Sequence, residues 1–119
     1  MAALAAGCAA SRTVGRAAPD SRRGDLQVAR IIASNFTFEP GTLQVKAGTP
    51  LVLEVYNAAS GTHNLTLYAP DEKVVVARDL PGRTTTVVEL PALAKGHYPI
   101  HCEKFMHGAM GMKATLVAE

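Results

Sequence analysis

A chain of 119 residues with a formal charge of +2, 48% hydrophobic and only 5% aromatic residues has room for one domain with one core. Four arginines lie within residues 9–27. From Val28 onward eight basic residues balance eight acidic ones, and that neutrality offers no electrostatic footprint for nucleic acid.

Residues 1–8, MAALAAGC, read as the end of a truncated bacterial lipoprotein signal, in which small residues precede a lipidated cysteine, here Cys8. The run lacks a basic start and falls short of the roughly 7–15 apolar residues of a complete signal core. On this reading the protein sits in the periplasm or at the cell surface, tethered to a bacterial membrane through Cys8. No stretch is long and apolar enough to cross a bilayer as a helix. Residues 9–27, AASRTVGRAAPDSRRGDLQ, carry no hydrophobic period and read as a flexible linker.

The period becomes two at Val28, and the domain is expected over residues 28–119. Val28–Ala33 leads into Phe36-Thr37-Phe38-Glu39-Pro40, Leu43–Val45 follows, and Gly48-Thr49-Pro50 turns the chain. Leu51–Asn57 is a strand with Leu51, Leu53 and Val55 on one face; a loop containing Gly61 precedes the strand His63–Tyr68. Lys73–Ala77, Arg83–Leu90, Tyr98–Cys102 and Lys113–Ala118 complete the set, with a connector at residues 91–96 that has room for a helical turn. Short strands broken by Gly and Pro at such spacing predict an antiparallel β-sandwich or barrel.

The chemistry gathers in the last quarter, HYPIHCEKFMHGAMGM, which holds three of the four histidines, three methionines and one of two cysteines. Alternation turns Tyr98, Ile100 and Cys102 inward and His101 outward. A buried thiol is inert unless a metal or a positive neighbour holds its thiolate. His107 and Met112 follow Cys102 at four-residue intervals, and His63 is the one remaining histidine. His63, Cys102 and His107 with a weak axial Met112 form the donor set of a mononuclear blue-copper site, with Met110 competing for the axial place. Asn64, beside His63, is placed to brace the two ligand-bearing segments by hydrogen bonds. Pairing Cys8 with Cys102 would tie a tail into the core for little gain, so no disulfide is expected.

Phe36-Thr37-Phe38-Glu39-Pro40 with Leu43–Gly48, then His63-Asn64, then Cys102-x4-His107-x4-Met112, resemble the motifs of the cupredoxins, the blue-copper family of plastocyanin, azurin and rusticyanin. The resemblance covers residues 28–119. It implies an all-β, Greek-key sandwich of about eight strands, one copper ion on His63, Cys102, His107 and Met112, and transient redox partner proteins. His101 stands where many relatives carry an aromatic. With His97 on the same outward face it offers either a loose second metal contact or two solvated imidazoles.

The expectation is a monomeric one-electron carrier and not an enzyme, since four protein donors leave copper no open position. A single cysteine in the loop excludes a two-copper centre with bridging thiolates. The surplus of Met106, Met110, His97 and His101 supports an alternative, copper delivery or storage with a copper acceptor as partner. A metal-free sandwich used for interactions is the third reading.

Overall fold

The computed structural model describes residues 12–104 and 112–119. These form no helix and eleven strands: β1 (Val14–Arg16), β2 (Ala18–Pro19), β3 (Gln27–Ser34), β4 (Thr37–Glu39), β5 (Thr42–Val45), β6 (Leu51–Asn57), β7 (His63–Tyr68), β8 (Val74–Leu80), β9 (Thr85–Leu90), β10 (Gly96–His101) and β11 (Lys113–Ala118). One sheet runs β1-β5-β11-β10-β7-β8; the other runs β2-β3-β6-β9, with β4 also paired to β3.

Alternation decides which side chains meet between the sheets. Ala29, Ile31 and Ala33 of β3 and Leu51, Leu53 and Val55 of β6 face Leu43, Leu65, Leu67, Ile100 and Leu116 of the other sheet. Phe38 and Tyr98 bring aromatic rings into this core, and the Tyr98 hydroxyl donates to the Ala94 carbonyl at 2.8 Å. At the end holding the β5–β6 turn, buried Gln27 clamps the chain. Its amide donates to the carbonyls of Lys46 and Thr49, and its carbonyl accepts the Lys46 N–H.

Four features depart from the expectations. The sheets are mixed rather than antiparallel, because β1–β5, β5–β11 and β3–β6 pair in parallel. A parallel pair needs a crossover, and β4 and β5 supply it between β3 and β6. Residues 14–19, read as part of a linker, are strands instead: β1 joins β5 and β2 joins β3. Backbone pairing carries this segment. Thr42 N–H donates to the Thr13 carbonyl and Ala17 N–H to the Gln44 carbonyl, at 2.9 and 2.8 Å. An edge strand held this way needs no hydrophobic period. It does need Gly15, where an added Cβ would come within 2.7 Å of the Pro40 ring. The connector at residues 91–96 holds no helical turn, and Cys102 falls just beyond the end of β10. Cys8 lies outside the described residues.

Candidate metal centre

Three strands of the larger sheet end or begin at one point. β7 begins at His63, β10 ends immediately before Cys102, and β11 begins immediately after Met112. Register holds them together: His101 pairs with Lys113 and with Thr66, and the Cys102 N–H donates to the Met112 carbonyl at 3.2 Å. The two-residue period then aims each side chain. Counting back from Leu65 turns His63 inward, counting on from Ile100 turns Cys102 inward, and all three of His63, Cys102 and Met112 are buried.

His63 Nδ1 lies 4.0 Å from Cys102 Sγ. With bonds of about 2.0 Å to nitrogen and about 2.3 Å to sulfur, one metal ion shared by both atoms would separate them by about 3.7 Å at a trigonal angle and about 4.3 Å in line. The observed separation falls between these limits, so an imidazole, a thiol and a buried thioether fit one soft or borderline ion. Among the described residues no three His, Cys, Asp or Glu side chains converge. His107, expected as the second imidazole, lies outside the described residues, as do Met106 and Met110.

Asn64 is the brace that the sequence suggested. Its N–H donates to Cys102 Sγ at 3.3 Å, placing the positive end of a backbone dipole on the sulfur. Its side-chain carbonyl accepts the Glu103 N–H at 3.2 Å and the Thr66 hydroxyl at 2.7 Å, and its amide donates to the Arg78 carbonyl at 3.2 Å. The residues flanking both ligands are thus tied through one side chain.

The turn that delivers His63 is fixed by a residue the sequence left unremarked. Asn57 is fully buried at the end of β6; its amide donates to the carbonyls of Gly61 and Leu80, both at 2.8 Å, and its carbonyl accepts the Ala59 N–H at 2.9 Å. Gly82 packs so tightly under this turn that a Cβ would meet the Ser60 carbonyl oxygen at 2.2 Å. The one signal in the sequence was a strand-terminal Asn before the small residues Ala58–Gly61.

On the opposite face of the same strands the polar groups are different. His97 is exposed and His101 half-buried, as alternation predicts, but four residue steps along the strand set them about 13 Å apart. The neighbours of His101 are Tyr68, with ring centroids 5.4 Å apart, and Glu103, whose Oε2 lies 3.5 Å from His101 Nδ1. The Tyr68 hydroxyl donates to the same Glu103 oxygen at 2.5 Å. That bond to a carboxylate raises the Tyr68 pKa above the ordinary tyrosine value, with burial and the Glu103 charge acting in the same direction.

A family model described as "Cupredoxin-like domain" matches residues 1–118. No curated protein matches the sequence. Among solved structures, dithionite-reduced auracyanin from the photosynthetic bacterium Roseiflexus castenholzii superposes with a TM-score of 0.70 at 17% identity, covering 77% of this chain and 96% of that one. Auracyanin A, a "blue" copper protein of Chloroflexus aurantiacus, gives 0.70 at 18% identity, with 79% and 99% covered. The metal-binding domain of the Streptococcus pneumoniae Cu(I)-exporting P-type ATPase CopA gives 0.68 at 15% identity, with 91% and 97% covered. At these identities the likeness is one of fold.

Proposed function

The chain belongs to the cupredoxin-like family, and from that premise we propose that it carries single electrons on one type 1 copper ion. The observation that carries the reading is the buried pair His63 Nδ1 and Cys102 Sγ at 4.0 Å, with the Asn64 N–H on the sulfur and Met112 buried at the adjoining strand start. In this reading His63, Cys102, His107 and Met112 would hold the copper. Bound copper supplies reversible Cu(II)/Cu(I) chemistry.

The chain's own contribution is rigidity and dryness. His63, Cys102 and Met112 are each carried at a strand end whose neighbours are hydrogen-bonded, and Asn64 locks the His63 and Cys102 segments to one another. Donors held in this way move little when the charge at the site changes. The core side chains behind them exclude water, so the dipole of the Asn64 N–H acts on the sulfur in a low-dielectric setting. Electrons would pass at the edge of His107, within the apolar sequence Met106 to Met110, through small and transient contacts with redox partners. We place the protein at the bacterial cell envelope, tethered through Cys8 and monomeric, with no enzymatic turnover of its own.

Copper delivery is the second reading. The likeness in fold to the Cu(I)-exporter domain favours it, as do the extra methionines Met106 and Met110. Voltammetry of the copper-loaded protein, followed by challenge with a Cu(I) chelator, separates the two. A reversible one-electron wave with copper retained through repeated cycles supports the carrier of electrons. Rapid loss of Cu(I) to the chelator without a reversible wave supports delivery and overturns the first reading.

A further inference from the structure

His101, Glu103 and Tyr68 form a polar cluster on the outer face of the larger sheet, with side chains turned away from the buried donors. We propose that this cluster is a second metal site, which takes a borderline divalent cation such as Zn²⁺ on His101 Nδ1 and Glu103 Oε2.

Three features of the cluster match what such an ion requires. The first is separation. Two donors each about 2.0–2.1 Å from an ion at a tetrahedral angle stand about 3.3 Å apart, and His101 Nδ1 and Glu103 Oε2 stand 3.5 Å apart. The ion therefore enters with a small change in side-chain torsion and no movement of the strand. The second is support around the donors. The Tyr68 hydroxyl donates to Glu103 Oε2 at 2.5 Å, which fixes the carboxylate while leaving a lone pair of that oxygen available, as hydrogen-bonded carboxylate ligands usually are. The Tyr68 ring packs at 5.4 Å against the His101 ring and limits its rotation. The third is access. The side chains of His101 and Glu103 retain 38% and 49% of their exposure, so water can complete the coordination and the ion has an entry path.

Of the cations nearby, Lys104 is drawn aside to Asp79 at 3.3 Å, and Lys113, opposite His101 on β11, is exposed, so that water and salt screen its repulsion. His97, the partner that residue type alone would suggest for His101, is too distant along β10 to share an ion. One imidazole and one carboxylate favour Zn²⁺ or Cu²⁺ over Mg²⁺ or Ca²⁺, which prefer several oxygen donors.

The test is a Zn²⁺ titration of the copper-loaded protein, or of the protein as purified if it takes no copper, followed by the imidazole NMR resonances of individual histidines and by calorimetry. We expect the His101 resonances to move and those of His97 to stay. His101→Ala and Glu103→Gln should each weaken the binding of the one ion at least tenfold. Tyr68→Phe, which keeps the ring but removes the hydroxyl, should weaken it by about tenfold. His97→Ala should change nothing. Absence of Zn²⁺ binding, or binding that survives His101→Ala unchanged, overturns the proposal. Neither outcome bears on the buried donors, whose occupancy the visible spectrum reads separately.

Discussion

His63 and His101 stand on adjacent strands of one sheet, β7 and β10, and face opposite ways. His63 is buried, within 4.0 Å of the Cys102 sulfur, on a turn whose polar groups are satisfied by Asn57. His101 is half-buried against a tyrosine and a carboxylate, at the edge of solvent. The same side chain thus stands in two environments. Inside, a soft sulfur and a desolvated cage suit an ion that must stay; outside, oxygen donors and water suit one that exchanges. One residue of strand register separates the two faces.

Substitutions on the two faces should differ most in folding stability. Met112→Ala empties fully buried volume and should cost about 2–5 kcal/mol in denaturant unfolding of the metal-free protein. Asn57→Ala should cost about 2–3 kcal/mol, because it strands the carbonyls of Gly61 and Leu80 and the Ala59 N–H. Hydrogen exchange should show residues 58–62 opening more readily in that variant, and an unchanged turn would contradict the role given to Asn57. On the outer face His101→Ala should stay within about 0.5 kcal/mol of the parent. A larger loss would mean that the cluster is structural.

The smallest effect is a pH dependence. The raised Tyr68 pKa means that the fold favours the protonated phenol. Its contribution to stability is fully present below the ordinary tyrosine pKa near 10 and is lost as pH rises through the higher folded value. Ultraviolet titration of phenolate should find Tyr68 ionising above the ordinary tyrosine range, and Glu103→Gln should bring it back toward that range.

Much of this was legible from residues alone. Leu51–Asn57, His63–Tyr68 and Lys113–Ala118 were read with the observed bounds, because in each the core-facing residues recur at every second position. The inward aim of Cys102 followed from counting two residues past Ile100, and Asn64 from its place beside His63. What stayed hidden depends on partners distant in sequence. Val14–Arg16 looks like linker because its strand character resides in backbone bonds to β5, not in its side chains. Asn57 looks like any polar strand end until Gly61 and Leu80 are brought to it. Tyr68 is 35 residues from Glu103, and only the pairing of β7 with β10 brings it to His101 and Glu103.

The most direct measurement is a Cu(II) titration of the purified protein followed by visible absorption and EPR, beside Cys102→Ser. One equivalent of copper should raise an intense sulfur-to-copper charge-transfer band and a signal of a single copper species, both absent in Cys102→Ser and altered in Met112→Gln. A colourless complex, or a band that survives loss of the Cys102 thiol, would contradict the assignment of the buried His63–Cys102 pair as the copper centre.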